Sequence, residues 1–466
     1  MSILQAINIA ESGLSAAERR LAVASEDIAN AQTPGHTNKT AQTTAGFGVS
    51  GVRVAVIERA GDPFIQADRR DADADAAAAG ELAGATARIA AAVGEFGDTD
   101  GLAQRLDRAV AGLALLQADP SSSATQRDTR DGLADLVQAI NTAYSTIAAE
   151  QARAEAALEA DLTTIRDAVG TIASADRGIG DPVGALRAEA GDVADLAIDR
   201  LNATVPVAAG LAAGTSRDTV AIRFGNEILR VGADTAIETT TTPGGDPAIR
   251  VGERVVALDT LAGSGALGAR ATLLSETIPA ALDALDRIAG QLVDAFTGPG
   301  VDPTLAPGEQ GIFVDPLRTG GAAPPGGAGR LQLNAALAAP GGEVLLRDGI
   351  NGLPPTTVGN DSLPRAAIAA LRGSGGASGP VDPASVAAGI ADLGETLSRA
   401  RLDAEEADDI AETRRQSLAT LEGEIAGVDR DAEIVESTLV ERYFSANAQV
   451  LNTAISMLDE LIAIAR

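Results

Sequence analysis

Apolar residues near the N-terminal end of the chain recur every seven positions. Across residues 3–31, a row of large residues alternates with a second row at steps of three and four. The first row is Ile7, Leu14, Leu21 and Ile28, and the second is Ile3, Ala10, Ala17 and Ala24. Such a heptad pattern predicts a helix whose seam packs against another helix. Thr33-Pro34-Gly35 predicts the end of this helix, because proline cannot continue it and glycine permits a turn.

The C-terminal end carries the same kind of pattern. Phe444, Leu451 and Leu458 are spaced by seven, and a second register runs beside them: Ala448, Ile455 and Ile462. Upstream, residues 390–428 keep the three- and four-residue steps, and residues 427–431 predict a break between two helices. Two interpretations are open. The ends can pair within one monomer, as in an ordinary bundle, or form one layer of a tubular assembly, which their place at the extreme termini favours.

The middle of the chain predicts helices interrupted by a short stretch of strands. Residues 80–117, 123–172 and 269–296 read as helices rich in alanine and leucine. Between residues 205 and 261, strand-like segments flank Gly225-Asn226 and Gly252-Glu253, which are two-residue hairpin signals. Residues 297–329 are rich in glycine and proline and predict a long loop.

These elements together predict a mainly α fold. The N- and C-terminal helices pair as a coiled coil, beside a long helical bundle domain and a small inserted β domain. The predicted limits are residues 1–35 with 431–466 for the coiled coil, 36–204 with 262–430 for the helical domain, and 205–261 for the β domain.

Composition excludes several classes of function, namely those that bind a polyanion and those that use a thiol. The formal net charge is -29 and only 2% of residues are aromatic, which argues against binding to nucleic acid or to an anionic membrane. The absence of cysteine excludes disulfides, thiolate metal sites and a cysteine nucleophile. No secretory signal and no 18-residue apolar stretch is found.

Three sequence features partly match known binding or catalytic motifs, but each lacks residues that the motif requires. Residues 263–268 match the dinucleotide pattern G-x-G-x-x-G, but the acidic residue of a following parallel strand is missing. Asp71, Asp73 and Asp75 imitate a calcium loop, but its glycine and final glutamate are absent. His36, the one histidine, lies in a turn without a nucleophile motif. We therefore predict no catalytic, cofactor-binding or metal-binding residues, no cofactor and no enzymatic activity.

Residues 25–37 resemble the signature that closes the N-terminal helix of flagellar axial proteins. The matching stretch runs from Ser25 through Ile28-Ala29-Asn30 to Thr33-Pro34-Gly35-His36-Thr37. That signature is S-x-N-I-A-N-x-x-T-P-G-Y-[ST]-R. Here Asp27 stands in place of its second asparagine, His36 in place of its tyrosine and Asn38 in place of its arginine.

Further stretches are similar to the hook-associated protein 1 family in particular. They are Gly51-Val52-Arg53-Val54 with Asp62-Pro63-Phe64-Ile65, residues 101–130, residues 268–296, and residues 444–451 with Asn447. The resemblance implies a structural subunit at the hook–filament junction, exported unprocessed through the flagellar type III apparatus to an extracellular position. The implied partners are further copies of this chain, hook protein, other hook-associated proteins and an export chaperone.

The resemblance and the two heptad patterns together predict an assembly interface at the termini. Its predicted residues are Ile7, Leu14, Leu21, Ile28, Asn30, Pro34, Gly35, Phe444, Asn447, Leu451, Ile455, Leu458 and Ile462. The alternatives are another axial protein (a second junction protein, a hook subunit or a rod subunit), a flagellar peptidoglycan hydrolase, or a cytoplasmic coiled-coil scaffold.

Overall fold

The computed structural model describes residues 2–45, 51–94, 98–179, 184–207, 219–263, 265–318, 324–352, 359–373 and 385–464. The helices are α1 (Ile3–Asn30), α2 (Pro63–Val93), α3 (Leu102–Ala118), α4 (Ser123–Ile179), α5 (Gly184–Thr204), α6 (Gly265–Thr272), α7 (Ile278–Ala295), α8 (Gly327–Arg330), α9 (Ala335–Ala338), α10 (Leu345–Asp348), α11 (Ser362–Arg372), α12 (Val386–Ala426) and α13 (Arg430–Ile464). The strands are β1 (Lys39–Ala45), β2 (Val52–Arg59), β3 (Thr219–Phe224), β4 (Glu227–Gly232), β5 (Ile237–Thr241), β6 (Pro247–Val251), β7 (Arg254–Ala257), β8 (Phe313–Val314) and β9 (Gln332–Leu333).

The predicted mainly α fold with paired terminal helices is confirmed. α1 packs along α13, and α2 packs along α12, so the two ends of the chain run together for most of their length. The predicted break near residue 427 lies between α12 and α13. The Asp429 carboxylate accepts the N–H groups of Asp431 and Ala432 there (3.0 and 3.2 Å), which starts the last helix.

The larger hydrophobic core is built mainly from helices. It joins α3, the first part of α4, α7, α11 and the start of α12 through fully buried aliphatic side chains. Phe296 and Phe313 are its fully buried rings among the described residues, and they meet edge to face with centroids 5.0 Å apart. The low aromatic content of the sequence therefore produces a core of interlocking Leu, Ile, Val and Ala.

The second core joins the β region to the other half of α4. Alternate residues of β3, namely Val220, Ile222 and Phe224, point inward against Leu162 and Ile165 of α4. The strands form a two-stranded and a three-stranded antiparallel sheet. Both predicted hairpin turns are present, since Phe224 pairs with Glu227 and Val251 with Arg254, and both turn glycines have positive φ.

Helix boundaries differ from the prediction in two places. The segment 80–117 is two helices, and the first of them begins at Pro63 because Asp62 caps it, accepting from the N–H of Phe64 at 2.8 Å. The segment predicted to begin at residue 269 begins at Gly265 and contains a π-helical stretch over residues 273–277. In the predicted loop 297–329, the described residues include only β8 and α8.

The antiparallel hairpin β1–β2 was not predicted. Its first strand, residues 39–45, is rich in threonine and alanine and lacks the apolar alternation that would have indicated a strand. The hairpin packs against α1: the Ser12 hydroxyl oxygen accepts the Val52 N–H at 3.1 Å.

Candidate assembly interface

Small buried residues let α1 and α13 approach closely. Ala10, Ala17 and Ala24 of α1 are buried, and on α13 Val440 and Ala454 are buried. At Gly13 of α1, an added Cβ would lie 2.8 Å from the Asn447 side chain of α13. A larger residue on α1 at this level would require the Asn447 side chain to move.

The large residues of the predicted N-terminal seam are all half-buried. This holds for Ile7, Leu14, Leu21 and Ile28, which alternate with the buried alanines along α1. Asn30 lies at the helix end and donates to the Glu26 carbonyl at 3.0 Å, and Pro34 and Gly35 are exposed in the following turn. Each seam residue thus keeps part of its side chain uncovered in the monomer.

On α13 the structure separates the predicted residues into two groups. Asn447, Leu451 and Leu458 are half-buried and share a helical face with Val440 and Ala454. Phe444, Ile455 and Ile462 are 39%, 42% and 49% exposed, so they remain uncovered in the monomer. Of the predicted second register, only Ala448 is partly covered.

A further apolar stripe on α13 was not anticipated. It consists of exposed residues at helical spacing: Val435, Leu439, Tyr443, Val450, Met457, Leu461 and Ile464. We call these seven residues the outer stripe. The signal was in the sequence, since the residues recur at steps of three, four and seven, but the heptad row beside them was the stronger one.

The end of α1 is held by an ionic cluster around His36. Its Nε2 lies 2.8 Å from a carboxylate oxygen of the fully buried Asp27, and its Nδ1 lies 3.9 Å from Asp192 of α5. Asp27 also accepts the Lys39 N–H at 2.8 Å. Burial raises the pKa of Asp27, and the hydrogen bonds from Lys39 and His36 only partly offset that effect.

Lys39 and Arg59 extend this cluster from the hairpin to α5. The Lys39 ammonium lies 2.7 Å from Glu26 and 3.1 Å from Asp192, and Arg59 contacts Asp192 at 2.8 Å. Burial disfavours the charged form of Lys39, but the two carboxylates together outweigh it and raise its pKa. The turn after α1 is thereby fixed to the helical region rather than left free.

Two contacts connect the same turn to the C-terminal helices. The Asn38 N–H donates to the carbonyl of Ala426, the last residue of α12, at 2.9 Å. Its side-chain amide donates to Glu433 of α13 at 3.1 Å, and Arg20 of α1 pairs with Glu436. The register of α1 on α13 is therefore fixed by polar contacts at the hairpin end.

The features that imitate binding motifs have structural roles. In the glycine-rich motif, an added Cβ at Gly265 would lie 2.8 Å from the Thr204 carbonyl oxygen, so the glycine permits close packing of two backbones. All strand pairings among the described residues are antiparallel. Asp73 and Asp75 lie on α2 and pair with Arg69 and Arg414 respectively.

Two further kinds of site are absent from the described part of the chain. No helix there has the length and apolarity needed to cross a membrane. No group of three or more histidine and carboxylate side chains there is arranged to hold a metal ion.

Comparison with known proteins finds similarity to flagellar proteins. No curated protein matches the chain. Among solved structures, the chain is similar to the flagellar hook junction protein FlgK from Burkholderia pseudomallei, with 16% sequence identity and a TM-score of 0.44. The alignment covers 54% of this chain and 46% of that one, so the chain spans less than half of that protein's length.

Two family models match separate parts of the sequence. Residues 86–298 match the flagellar hook-associated protein FlgK helical domain. Residues 7–37, which contain α1 and the turn with His36, match the flagella basal body rod protein family. The two matched segments therefore resemble two families of flagellar proteins, and they occur in one chain and in this order.

Proposed function

We propose that this chain is a structural subunit of the junction between the flagellar hook and filament, and that it assembles through α1 and α13. The observation that carries the proposal is the apolar surface left on the paired terminal helices. Among the described elements α13 packs mainly on α1, and exposed apolar residues lie on both sides of that contact.

The amount of uncovered surface favours helix neighbours from other copies. The outer stripe lies on one side of the α1 contact, and Phe444, Ile455 and Ile462 lie on the other. Apolar patches of this extent are uncommon on monomeric proteins and mark interaction sites. Packing both sides against helices of adjacent subunits would bury them, in a layer whose inner wall is made of terminal helices.

The remaining partners follow from this position in the flagellum. Hook protein would contact the layer on one side and other hook-associated proteins on the other. Before assembly, an export chaperone would cover the apolar surface of α13, and the chain would leave the cell unprocessed through the flagellar export apparatus. The chain's role is mechanical, and no catalytic step is assigned to it.

Deletion of the gene in the source organism tests the proposal. We expect cells with hooks but without filaments, and flagellin released into the medium, because the filament would have no subunit to attach to. Complementation with the intact gene should restore filaments and serves as the control. Filaments still attached to hooks in the deletion strain would contradict the junction role and favour another axial position.

A further inference from the structure

Two exposed faces of this chain are complementary in charge. The first lies on the outer side of the β3–β4 hairpin and consists of Arg223, Ile228 and Arg230; we call it the arginine face. The second lies on α12 and consists of five residues, which we call the acidic face: Leu402, Asp403, Glu406, Asp409 and Ile410. Neither face takes part in the terminal helix pairing.

The arginine face combines two unpaired cations with an exposed apolar residue. Ile222 and Phe224 point into the core, so Arg223 between them points outward. Arg223 pairs directly with Ile228 in the register, and Arg230 follows two residues later on the same side. Ile228 is 57% exposed. Within the described part of the chain, neither guanidinium has a side-chain hydrogen bond or ion pair.

The acidic face has the opposite charge and a similar mixture of residue types. Leu402 and Ile410 are 55% and 64% exposed and lie eight residues apart on one side of α12. The three acids at positions 403, 406 and 409 lie beside and between them, at the three-residue steps that share a helix face. All three are exposed, and their carboxylates have no partner within the described residues.

We propose that the arginine face of one copy docks on the acidic face of a second copy. Ile228 would pack between Leu402 and Ile410, and the two guanidinium groups would pair with the carboxylates around them. With a net charge of -29, most of the surface of this chain repels another copy. Where the cationic face meets the acidic face, the two copies attract each other instead. This local attraction selects these two faces as the surfaces that meet.

The two faces differ, so the contact is heterologous. Each copy carries one arginine face and one acidic face, and the contact can therefore repeat from copy to copy until it closes as a ring or continues as a helix. This inference rests on the proposed function only in taking a second copy as the partner. It adds a lateral contact that is independent of α1 and α13.

Disulfide cross-linking of the full chain tests which surfaces meet. The chain has no cysteine, so every disulfide that forms joins two introduced cysteines. Ile228→Cys and Ile410→Cys variants, mixed and oxidised with diamide, should form a disulfide-linked dimer, and the double variant should form a ladder. Ile228→Cys mixed with Leu115→Cys is the control, since Leu115 is 65% exposed but lies outside both faces. Coupling no more efficient than this control would overturn the proposal.

Charge reversal tests the chemistry of the contact. Arg223→Glu with Arg230→Glu, added to the cysteine variants, should lower the cross-linking yield at least about tenfold, and Glu406→Arg with Asp409→Arg should do the same. Combining all four reversals should restore the yield, because the charges are complementary again. Arg200→Glu with Arg287→Glu makes the same change in net charge at exposed arginines elsewhere and should leave the yield unchanged. Loss of yield in this control, or no restoration in the combined variant, would overturn the proposal.

The cross-linking and the gene deletion can fail separately. A chain that cross-links between the two faces but leaves filaments attached after deletion keeps the lateral contact and loses the junction role. A chain that is required for filament attachment but never couples positions 228 and 410 keeps the junction role and loses the lateral contact.

Discussion

At the scale of single residues, Asp27 and His36 are two departures from the axial signature that contact each other. The signature has asparagine and tyrosine at these positions, and here a buried carboxylate and an imidazole lie 2.8 Å apart. Two titratable side chains thus occupy the place of an amide and a phenol. Since burial raises the pKa of Asp27, its ionised form is less well accommodated in the folded protein than in the unfolded chain.

Asp27→Asn is expected to become more stable relative to the wild type as the pH rises. The raised pKa of Asp27 stabilises the folded wild type below the ordinary carboxyl pKa of 3.8, and that stabilisation is lost as the pH rises through the folded value. The variant keeps an acceptor for the Lys39 N–H and lacks this dependence. The measurement is the unfolding free energy of both proteins between about pH 4 and pH 7. A difference that does not change with pH, or one matched by the exposed Asp167→Asn, would contradict the expectation.

Gly349 gives a second residue-scale prediction, about the fold. Its φ is +93°, and an added Cβ would lie 2.6 Å from the buried Asp302 carboxylate, which also accepts the Ile350 N–H at 2.7 Å. Gly349→Ala should destabilise the protein by about 2–4 kcal/mol in chemical denaturation. Gly341→Ala is the matched control, since its φ is +81° but its Cβ would meet nothing, and it should cost about 1 kcal/mol. If both variants lost the same unfolding free energy, the expected clash between the added Cβ at Gly349 and Asp302 would be contradicted.

At the scale of elements, α13 presents different apolar faces to different neighbours. Ala454 is buried in the monomer, whereas Met457, three residues later, is 53% exposed on the outer stripe. One helix thus has a face that pairs within the chain and an exposed apolar face, which the proposed function assigns to contact between subunits. Different residues of α13 form the two faces, so single substitutions can test each face separately.

Aspartate substitutions along α13 should separate pairing from assembly. Ala454→Asp places an unpaired carboxylate between α1 and α13 and should release the pairing, at a cost of more than about 2 kcal/mol. Met457→Asp should leave the helical content unchanged by circular dichroism but prevent sedimentable assemblies. Gln449→Asp, on the exposed polar side, should affect neither. Normal assembly by Met457→Asp would remove the outer stripe from the interface.

The elements that periodicity defines could be predicted, and those that long-range contacts define could not. The heptad rows predicted α1 and α13, and glycine-first turns predicted the hairpins of the β region. The face of α13 that meets α1 could not be chosen, because apolar residues occupy more than one side of that helix. That choice depends on Gly13 opposite Asn447 and on Arg20 opposite Glu436, contacts between residues hundreds of positions apart.

The ionic cluster at the end of α1 shows the same limit. Residues 25–38 drew attention as a signature, but nothing in their spacing indicated that Asp192 of α5 would complete the cluster. The hairpin β1–β2 brings Lys39 and Arg59 together from residues with no strand pattern in the first half. The sequence alone therefore identified the position of this site and missed half of its members.

At the scale of the whole molecule, charge opposes association and salt should favour it. Each copy carries a formal charge of -29, and screening shortens the reach of that repulsion to about 8 Å at physiological ionic strength. Apolar contacts between terminal helices are not weakened by simple salts. The protein concentration needed for assembly, measured by sedimentation, should therefore fall as sodium chloride is raised from about 50 to 500 mM. An increase would mean that ion pairs between copies dominate.

The long helix α4 has a consequence for how force passes through the subunit. Its 57 residues make a rod of about 85 Å. The half from Leu133 to Ala154 belongs to the helical core, and the half from Leu158 to Ile172 belongs to the core shared with the β region. Because both cores include part of α4, one core cannot rotate relative to the other unless α4 twists or bends. A torque applied to the strands would therefore act on α4, the helix that contributes to both cores.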